Sequence, residues 1–440
     1  MDTFHRFSRS ERETINGTNA ATFLIAETGA LYACGDNDSG QLGFGDDSNR
    51  STLTRVPLEE SVKTVATGSG STYVLTVSGA LYACGNNEYG QLGLGDEQER
   101  STLTRMPFDE SAKTIVIGDS SIYVLMVSGA LYACGNNRYG QLGLGDSRNR
   151  SALTRVSLEE SVKTVATNGE CAYVLTVRGA LYACGLNDYG QLGLGDNLRR
   201  STLTRMPFDE SAKTIVIGNS STYVLAVSGA LYACGNNEYG QLGLEDDQER
   251  SILTRIPLDE SVKTVVTGNG SIYVLMVSGA LYVCGNNEYG QLGLGDDRDR
   301  STLQRVPLVE RVKMIVTGNS FIYVLTRSGA LYACGGNDYG QLGIGALYAC
   351  GGNDYGQLGI GDGKVRLTLQ RVPLEEQVKV VVAGSGSAYV LTVSEALYAC
   401  GDNGFGQLGL GDEDDRSILT RVPLEESVTT VVPLYFHHLS

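Results

Sequence analysis

The chain has 440 residues, a formal net charge of −16 at pH 7, 57 glycines and no tryptophan. This acidic balance argues against direct binding to nucleic acid, because such binding depends on Lys and Arg side chains that replace phosphate counterions. No stretch is apolar enough for long enough to cross a bilayer, and the first residues lack the apolar core of a secretion signal. The composition therefore predicts an intracellular protein, cytoplasmic or nuclear, that binds neither nucleic acid nor membrane.

Residue types that usually carry catalysis or metal binding are sparse. The three histidines lie near the two ends of the chain, and no nucleophile stands beside a base at a recognisable spacing. Nine of the ten cysteines occupy one position of a repeat, so they belong to separate structural units, and none forms a CxxC pair. We therefore predict no enzyme activity, no metal site, no cofactor, and cysteines that are reduced and buried.

In chain order, residues 1–11 are predicted to be a flexible leader, 12–432 a single array of repeats, and 433–440 a tail. The repeat has a period of 50 residues, which is typical of repeat architectures. Its cysteine recurs at positions 34, 84, 134, 184, 234, 284, 334, 350 and 400. The spacing between Cys334 and Cys350 is shorter than the period, because residues 346–361 are an exact copy of 330–345. This extra copy is predicted to form an additional hairpin or loop on the seventh unit.

One unit is predicted to contain four β-strands and no helix. In the second unit the strands are expected at 62–67, 71–77, 80–84 and 103–106, where β-branched and aromatic residues lie between turns that contain Gly. Four short strands per unit in a repeated array are typical of a β-propeller. The predicted fold class is therefore all-β, a β-propeller of four-stranded blades. Pairing of N- and C-terminal strands is expected to close it, because closure removes exposed sheet edges.

The second strand of the unit is apolar on both faces. Tyr73, Leu75 and Val77 are expected on one face, and Val74 on the other with neighbouring threonines. A strand of this kind is expected in a sheet that other sheets cover on both sides. The pattern therefore agrees with blades that pack face to face.

The loop after the third strand carries a Gly-Gln-Leu-Gly motif. Leu92 is predicted to fill the core between blades, and Gln91 to bond loop carbonyls. Positive φ or a close chain approach is predicted at Gly85, Gly90, Gly93 and Gly95. The motif superficially resembles a phosphate-binding loop, but neither a helix nor a Lys follows it, so we reject nucleotide binding there.

The repeat resembles that of the regulator of chromosome condensation family. The resemblance covers about 12–432 and rests on the order Leu-Tyr-x-Cys-Gly-x-Asn-x-x-Gly-Gln-Leu-Gly-x-Gly-Asp. It implies a propeller with blades of about 50 residues, most often seven of them, although eight units can be counted in the chain. Seven blades are therefore favoured by the resemblance, and eight remain possible.

The resemblance leaves function open, because members of one fold family serve different partners. The founding member accelerates nucleotide exchange on the GTPase Ran while docked on nucleosomes. We favour a non-enzymatic, monomeric protein-interaction propeller that binds a protein partner through its loop rims. One alternative is a guanine nucleotide exchange factor for a Ran-like small GTPase, and another is a chromatin-associated propeller that binds histones.

Exchange activity in the founder is implied to use an acid just before a His in a Gly-x-x-His turn. In this chain no unit has the His, because its place is held by Ser71, Ser121, Cys171, Ser221, Ser271, Phe321 and Ser387. An acid stands at the preceding place only at Glu170, within 168–171. The resemblance therefore makes Glu170 the residue through which exchange activity would act.

The candidate partner-binding residues lie in two loops whose sequence varies most between units. A ring of acidic loops could bind a basic peptide or protein such as a histone, through many weak contacts that depend on salt. An exposed Phe321 could anchor a partner. No loop has the alternating ligand spacing of a calcium site. The candidates are Glu170, Asp119, Phe321, Asp96, Glu97, Asp246, Asp247, Asp412 and Asp414.

Overall fold

The computed structural model describes residues 21–433, except 109, 319, 337–369, 373, 375, 385 and 425–427. The predicted leader at 1–11 and the repeated copy at 346–361 lie outside these residues, as does the tail after Pro433. The regular structure of the described residues consists of β-strands paired antiparallel. This confirms the predicted all-β class.

In chain order the first strands are β1 Ala21–Ala26, β2 Leu31–Gly35, β3 Arg50–Arg55, β4 Val62–Gly68, β5 Ser71–Thr76, β6 Leu81–Gly85 and β7 Arg100–Arg105. The next strands are β8 Ala112–Ile117, β9 Ser121–Met126, β10 Leu131–Gly135, β11 Arg150–Val156, β12 Val162–Thr167, β13 Cys171–Thr176, β14 Leu181–Gly185 and β15 Arg200–Arg205. Then follow β16 Ala212–Ile217, β17 Ser221–Ala226, β18 Leu231–Gly235, β19 Arg250–Arg255, β20 Val262–Thr267, β21 Ser271–Met276, β22 Leu281–Gly285 and β23 Arg300–Arg305. The last are β24 Val312–Thr317, β25 Phe321–Thr326, β26 Leu331–Gly335, β27 Gln370–Arg371, β28 Val378–Ala383, β29 Ser387–Thr392, β30 Leu397–Gly401, β31 Arg416–Arg421 and β32 Val428–Pro433.

These strands form eight four-stranded sheets, the blades of a propeller. Blades 2 to 8 each take four consecutive strands, from β4–β7 in blade 2 to β28–β31 in blade 8. Blade 1 combines β1–β3 with β32, which pairs with β1. The preference for seven blades is therefore wrong. The incomplete N-terminal unit becomes a full sheet by adding β32, so it counts as a blade of its own.

The first strand of each blade from 2 to 8 contacts the first strand of the next, and this series ends where β28 contacts β32. On its other side blade 1 contacts blade 2 through β1 and β4. An antiparallel bridge between Thr52 and Leu410 also joins blade 1 to blade 8. The first strands are therefore the innermost, and the fourth strands lie at the outer edge.

The core lies between neighbouring blades and is built from the second and third strands. In β5 every residue from Ser71 to Thr76 is buried. Tyr73 and Leu75 pack with Ile115, Val124 and Cys134 of blade 3. This confirms that the sheets are covered on both faces.

Val77 does not belong to this core. The second strand ends at Thr76, and the side chain of Val77 is 69% exposed. The backbone N–H of Val77 donates to the carbonyl of Ser61 at 2.9 Å, where the chain already turns towards the third strand. Its assignment to the buried face was therefore wrong.

The blades have two distinct ends. The turn from first to second strand and the long loop from third to fourth strand lie at one end, which we call the loop end. The turn from second to third strand and the connection to the next blade lie at the other, which we call the connector end. Any site formed by several blades must therefore lie at one of these two ends or along the inner strands.

The long loop of each blade holds the next blade in place. In blade 2, Leu92 is fully buried and packs into the core shared with blade 3. Leu94 forms a bridge with Ala152 in the outer strand of blade 3, and the N–H of Gly95 donates to the Ser151 carbonyl at 2.8 Å. The predicted role of Leu92 is confirmed.

The other predictions for this loop are confirmed in part. The φ angles of Gly85, Gly90, Gly93 and Gly95 are 98°, 74°, 66° and 93°. The Gln91 side chain accepts from the Tyr89 N–H and donates to Asn86 Oδ1 instead of to a loop carbonyl. In blade 3, however, Gln141 Nε2 donates to the carbonyl of Gly169 at 3.1 Å.

The nine cysteines of the described residues are free and buried.

Candidate protein-binding site

Three of the predicted acidic residues are engaged in ion pairs within their own loops. Asp96 Oδ2 accepts from Arg100 Nη2 at 2.7 Å, and the same contact joins Asp246 to Arg250 and Asp412 to Arg416. The hydrogen bond from Arg250 holds the pKa of Asp246 below its ordinary value. These aspartates therefore stabilise the loop, and their negative charge is already balanced.

Three neighbouring carboxylates remain exposed to solvent. Glu97, Asp247 and Asp414 each lie next to or two residues after one of the paired aspartates, on the loop end. Asp247 accepts a hydrogen bond from Gln248 at 2.8 Å. No ion pair joins any of the three to another described residue. They can therefore add charge to the loop end, but they do not form a defined pocket.

Phe321 is buried, and the prediction that it is exposed is wrong. Its side chain is 1% exposed and packs in the core between blades 7 and 8. Its ring lies 6.0 Å from that of Tyr323, edge to face. The first residue of a second strand directs its side chain into the interface between blades, where other units bury a Ser. Phe321 therefore cannot anchor a partner.

Glu170 lies at the loop end in a turn that is held by hydrogen bonds. Asn168 Oδ1 accepts the N–H groups of Glu170 at 3.2 Å and Cys171 at 3.0 Å, and Asn168 Nδ2 donates to the carbonyl of Asn219 at 2.8 Å. A Cβ added to Gly169 would lie 2.5 Å from Cβ of Asp119. The turn therefore packs directly on blade 3, and it places Glu170 near Asp119.

Glu170 is surrounded by charges of both signs. Its carboxyl is half-buried, and burial together with the charges of Asp119 and Asp188 raises its pKa, while Arg138 and Arg199 oppose the shift. Arg199 makes two hydrogen bonds to Asp188, at 3.2 and 3.0 Å. The carboxylate at 170 is therefore incompletely neutralised.

Both arginines also lie against one aromatic ring. The guanidinium carbons of Arg138 and Arg199 are 5.1 and 5.0 Å from the ring centroid of Tyr139, within the range of cation–π contacts. The group joins the long loop of blade 3 to the turn and loop of blade 4. We call it the blade 3–4 cluster, and its members are Asp119, Arg138, Tyr139, Glu170, Asp188 and Arg199.

Three members of the cluster differ from the residues that other units have at the same places. Arg138 stands where five other units carry Asp38, Glu88, Asp188, Glu238 and Glu288. Arg199 stands where six other units carry Asn49, Glu99, Asn149, Glu249, Asp299 and Asp415. Glu170 stands where six other units carry Gly70, Ser120, Ser220, Gly270, Ser320 and Gly386.

Arg138 and Arg199 are not among the predicted site residues, because those residues were chosen mainly for their acidic charge. Comparison of the units position by position would have marked both arginines as departures. The same comparison marks Leu198, which is 66% exposed where other units carry polar residues such as Gln98 and Gln248. The structure adds that these departures come together at one junction of two blades.

Replacing Glu170 with Gln is expected to stabilise the protein at neutral pH. Because the folded-state pKa of Glu170 is raised, ionisation of its carboxyl opposes folding, and the wild type loses stability as pH rises from the unfolded towards the folded pKa. Below the unfolded pKa both side chains are neutral. Glu170→Gln should therefore raise Tm by roughly 1 °C at about pH 7.5, since solvent screens a half-exposed group, and the gain should vanish near about pH 4.

Differential scanning calorimetry across this pH range tests the expectation, with Glu97→Gln at an exposed position as the control. A gain that is equal in both variants, or that grows towards acid pH, would contradict the environment described for Glu170.

The described residues contain no group of three or more His, Cys, Asp or Glu placed to hold a metal ion. The same residues include no helix that is long and apolar enough to span a membrane. The blade 3–4 cluster combines charged side chains with the ring of Tyr139, and the exposed Leu198 precedes Arg199.

Solved structures similar to this chain share its fold. Human WBSCR16 aligns with a TM-score of 0.60 at 22% identity, covering 82% of this chain and 96% of that one. Yeast RCC1 (Prp20), solved bound to Kap60, aligns with a TM-score of 0.59 at 18% identity, covering 97% and 89%. Prp20p from Saccharomyces cerevisiae, described with its binding properties to Gsp1p and histones, aligns with a TM-score of 0.59 at 19% identity, covering 93% and 87%. At these identities the likeness shows the fold alone.

A family model matches the sequence repeatedly along the chain. The model of the regulator of chromosome condensation (RCC1) repeat matches residues 28–75, 78–125, 128–169, 178–225, 228–275, 278–325 and 344–393. A second model of the same repeat matches 62–91, 212–241 and 312–341. With more than half of its residues matched by this model and with four-stranded propeller blades as its fold, the chain belongs to the regulator of chromosome condensation repeat family.

Proposed function

We propose that this protein is a non-enzymatic interaction propeller that binds a protein partner at its loop end, centred on the blade 3–4 cluster. The observation that supports this most is the convergence of Arg138, Glu170 and Arg199. Each departs from the other units, and yet both arginines lie against Tyr139 and both interact with Glu170. The three residues belong to two neighbouring units and still come together at one junction of blades.

The chemistry of the cluster suits a protein partner. Arg and Tyr are the residue types that most often dominate the energy of protein interfaces. The exposed Leu198, which precedes Arg199, would add apolar contact. Three carboxylates and two guanidinium groups leave the cluster with a net negative charge at neutral pH. Together with the exposed Glu97, it would attract a basic segment.

A Ran-like small GTPase is one candidate partner. Glu170 occupies the place before the turn position where the founding member of the family carries its His, and Prp20p is described with binding to Gsp1p. Release of nucleotide requires a side chain that is held in place beside the bound nucleotide site. The hydrogen-bonded turn of Glu170 would meet that requirement.

A histone tail is the other candidate partner. Prp20p is also described with binding to histones, and the loop end carries exposed carboxylates such as Glu97, Asp247 and Asp414. Binding by such charges is additive and weakens as salt is raised. This candidate therefore predicts a strong salt dependence and no effect on nucleotide release.

The proposal can be tested with a variant in which three residues of the blade 3–4 cluster are replaced by residue types found at the same places in other units. Arg138→Glu, Arg199→Glu and Glu170→Ser together restore residue types that those units already tolerate, so folding should be kept. The control carries the same charge changes elsewhere on the loop end: Arg148→Glu, Arg298→Glu and Glu288→Ser. We would measure release of a fluorescent guanine nucleotide from a Ran-family GTPase, and anisotropy of labelled histone tail peptides.

We expect one of these partners to respond at micromolar concentrations. If the GTPase responds, the cluster variant should weaken the response by at least about tenfold and the control by less than about twofold. Both variants make the loop end more negative, so histone-tail binding should instead tighten, and more in the cluster variant than in the control. If neither partner responds at about 100 µM, or if the two variants change the response equally, the proposed site is wrong.

We also infer that residues 12–432 form a single closed ring. The pairing of β1 with β32 and the contact between β28 and β32 support this inference. Closure would leave no free inner strand, and it would hold the loop ends of all blades in one rigid arrangement. A rigid rim lowers the entropy lost when a partner binds.

A further inference from the structure

A ring of lysines lies along the innermost strands, near the connector end. Each is the second residue of the first strand of its blade and is exposed. Blade 1 has Thr429 at this place. The members of the ring are Lys63, Lys113, Lys163, Lys213, Lys263, Lys313 and Lys379.

The backbone turns these side chains away from the blade interfaces. In blade 2 the register shifts between Val62 and Thr64, so Lys63 is left without a partner in β5, as in a β-bulge. Val62 and Val65 are buried, whereas Lys63 is exposed. The same shift occurs at the start of β12 in blade 4. The repeat therefore presents one lysine per blade, from blade 2 to blade 8.

The lysines follow one another around the inner edge. Lys63 Nζ donates to the backbone carbonyl of Lys113 at 3.3 Å, and Lys163 Nζ donates to that of Lys213 at 3.2 Å. Neither bond neutralises the ammonium charge. Among the ion pairs of the described residues, none includes a lysine of this ring. A protein of net charge −16 therefore concentrates seven positive charges at one end of its inner strands.

An outer ring of exposed valines surrounds the lysines. Val77, Val127, Val177, Val227, Val277 and Val393 are 60–69% exposed. The N–H of Val77 donates to the carbonyl of Ser61, two residues before Lys63, so each valine lies beside the lysine of its own blade. Single exposed valines need no explanation. Six of them border the ring of positive charge. The connector carboxylate of Glu60 accepts a hydrogen bond from Ser78 Oγ beside Val77, so the cationic character belongs to the inner strands and the valines lie at its outer border.

We propose that the connector end binds an extended acidic peptide segment of a partner protein. Carboxylates of the segment would pair with the ring lysines, and its apolar side chains would contact the valines. Charge complementarity favours an anionic ligand, because an anion reduces the repulsion between the lysines on the inner edge. The valines favour a peptide over a phosphate polymer, because a phosphate polymer has no apolar side chains to place on them. This site lies at the end opposite the blade 3–4 cluster and does not depend on it.

The probe is a fluorescein-labelled peptide of alternating Glu and Leu, with an all-Glu peptide and inorganic polyphosphate beside it. One variant replaces the ring lysines of blades 2, 4, 6 and 7 with Gln: Lys63→Gln, Lys163→Gln, Lys263→Gln and Lys313→Gln. The matched control replaces the same four with Arg, which keeps the charge. A third variant carries Val77→Ser, Val177→Ser and Val277→Ser. All these side chains are exposed, and thermal unfolding verifies the fold of each variant.

We expect the Glu–Leu peptide to bind with a micromolar Kd that weakens between about 50 and 300 mM salt. The Gln variant should weaken binding by at least about tenfold and the Arg variant by less than about twofold. The Ser variant should weaken binding of the Glu–Leu peptide by roughly threefold, with the all-Glu peptide unaffected.

No binding at about 100 µM peptide, or binding that the Gln variant leaves unchanged, overturns the proposal. If polyphosphate binds more tightly than the Glu–Leu peptide and the Ser variant has no effect, the surface recognises polyanions in general, and the peptide assignment is wrong. The variant Arg138→Glu with Arg199→Glu should leave binding of the Glu–Leu peptide unchanged. Failure of the loop-end proposal can therefore be distinguished from failure of this one.

Discussion

Replacing Gly85 with Ala is expected to reduce the free energy of unfolding by more than about 3 kcal/mol. Gly85 ends β6 with φ of 98°, and a Cβ there would lie 2.0 Å from the carbonyl oxygen of Gly70 and 2.9 Å from Cα of Ser71. Both are backbone atoms, so no side chain can turn aside to make room. The substitution must therefore break the pairing between Gly85 and Ser71 or displace the turn at the loop end.

Gly95→Ala is the matched control for this prediction. Gly95 has nearly the same φ, 93°, but a Cβ there would meet no atom within 4 Å. Ala at Gly95 therefore experiences backbone strain alone, which costs about 1–2 kcal/mol. Calorimetric Tm and hydrogen exchange in blade 2 measure the difference. Equal losses in the two variants would show that φ, and not the close approach to Gly70, decides the effect.

The repeat period and the β-branched segments were enough to predict the blades. The first strand of blade 2 was expected at 62–67 and lies at Val62–Gly68. The fourth was expected to begin at residue 103 but begins at Arg100. Its first residues are Arg, Ser and Thr, which resemble a loop in sequence. They pair because Gly85 opposes Arg100 across a register shift, a tertiary contact that local propensity does not reveal.

The number of blades was mistaken because the family's usual count outweighed the chain's own. Counting the units gave eight, and the structure has eight four-stranded sheets. Blade 1 is complete only because β32 pairs with β1 from the far end of the sequence. The strand-like tail does predict this pairing of N- and C-terminal strands, and the family resemblance argued only against the count of eight blades.

The candidate site could be predicted only in part. Glu170 was identified from its place in the turn, but its surroundings were not, since they depend on how the blade 3 loop packs on the blade 4 turn. Gln141 bonding Gly169 is one contact that fixes this packing. The charge of Asp96 was predicted to be available, because a sequence of acidic residues does not show that Arg100, four positions on, has already paired with it.

Asn87 controls the shape of the long loop, and its replacement by Ala should be nearly as damaging as that of Gly85. The side chain is completely buried. Its Nδ2 donates to the carbonyls of Asp96 and Gln98, both at 2.9 Å, and its Oδ1 accepts the N–H of Leu92 at 2.9 Å. Ala leaves three backbone groups without this partner, and we expect a loss of about 3–4 kcal/mol.

Asn86→Ala separates the buried network from the mere presence of an Asn in the loop. Asn86 is half-buried, and its Oδ1 accepts from the Glu88 N–H at 3.1 Å and from Gln91 Nε2 at 2.6 Å. Water can replace the bond from the Glu88 N–H, and only one buried donor, Gln91 Nε2, loses its partner, so Asn86→Ala should cost about 1–2 kcal/mol. Because Leu92 carries the contact with blade 3, Asn87→Ala should also raise hydrogen exchange at β10 and β11 of that blade, whereas Asn86→Ala should not. Equal Tm losses, or faster exchange in blade 2 alone, would mean that the loop holds its shape through Leu92 and the glycines without Asn87.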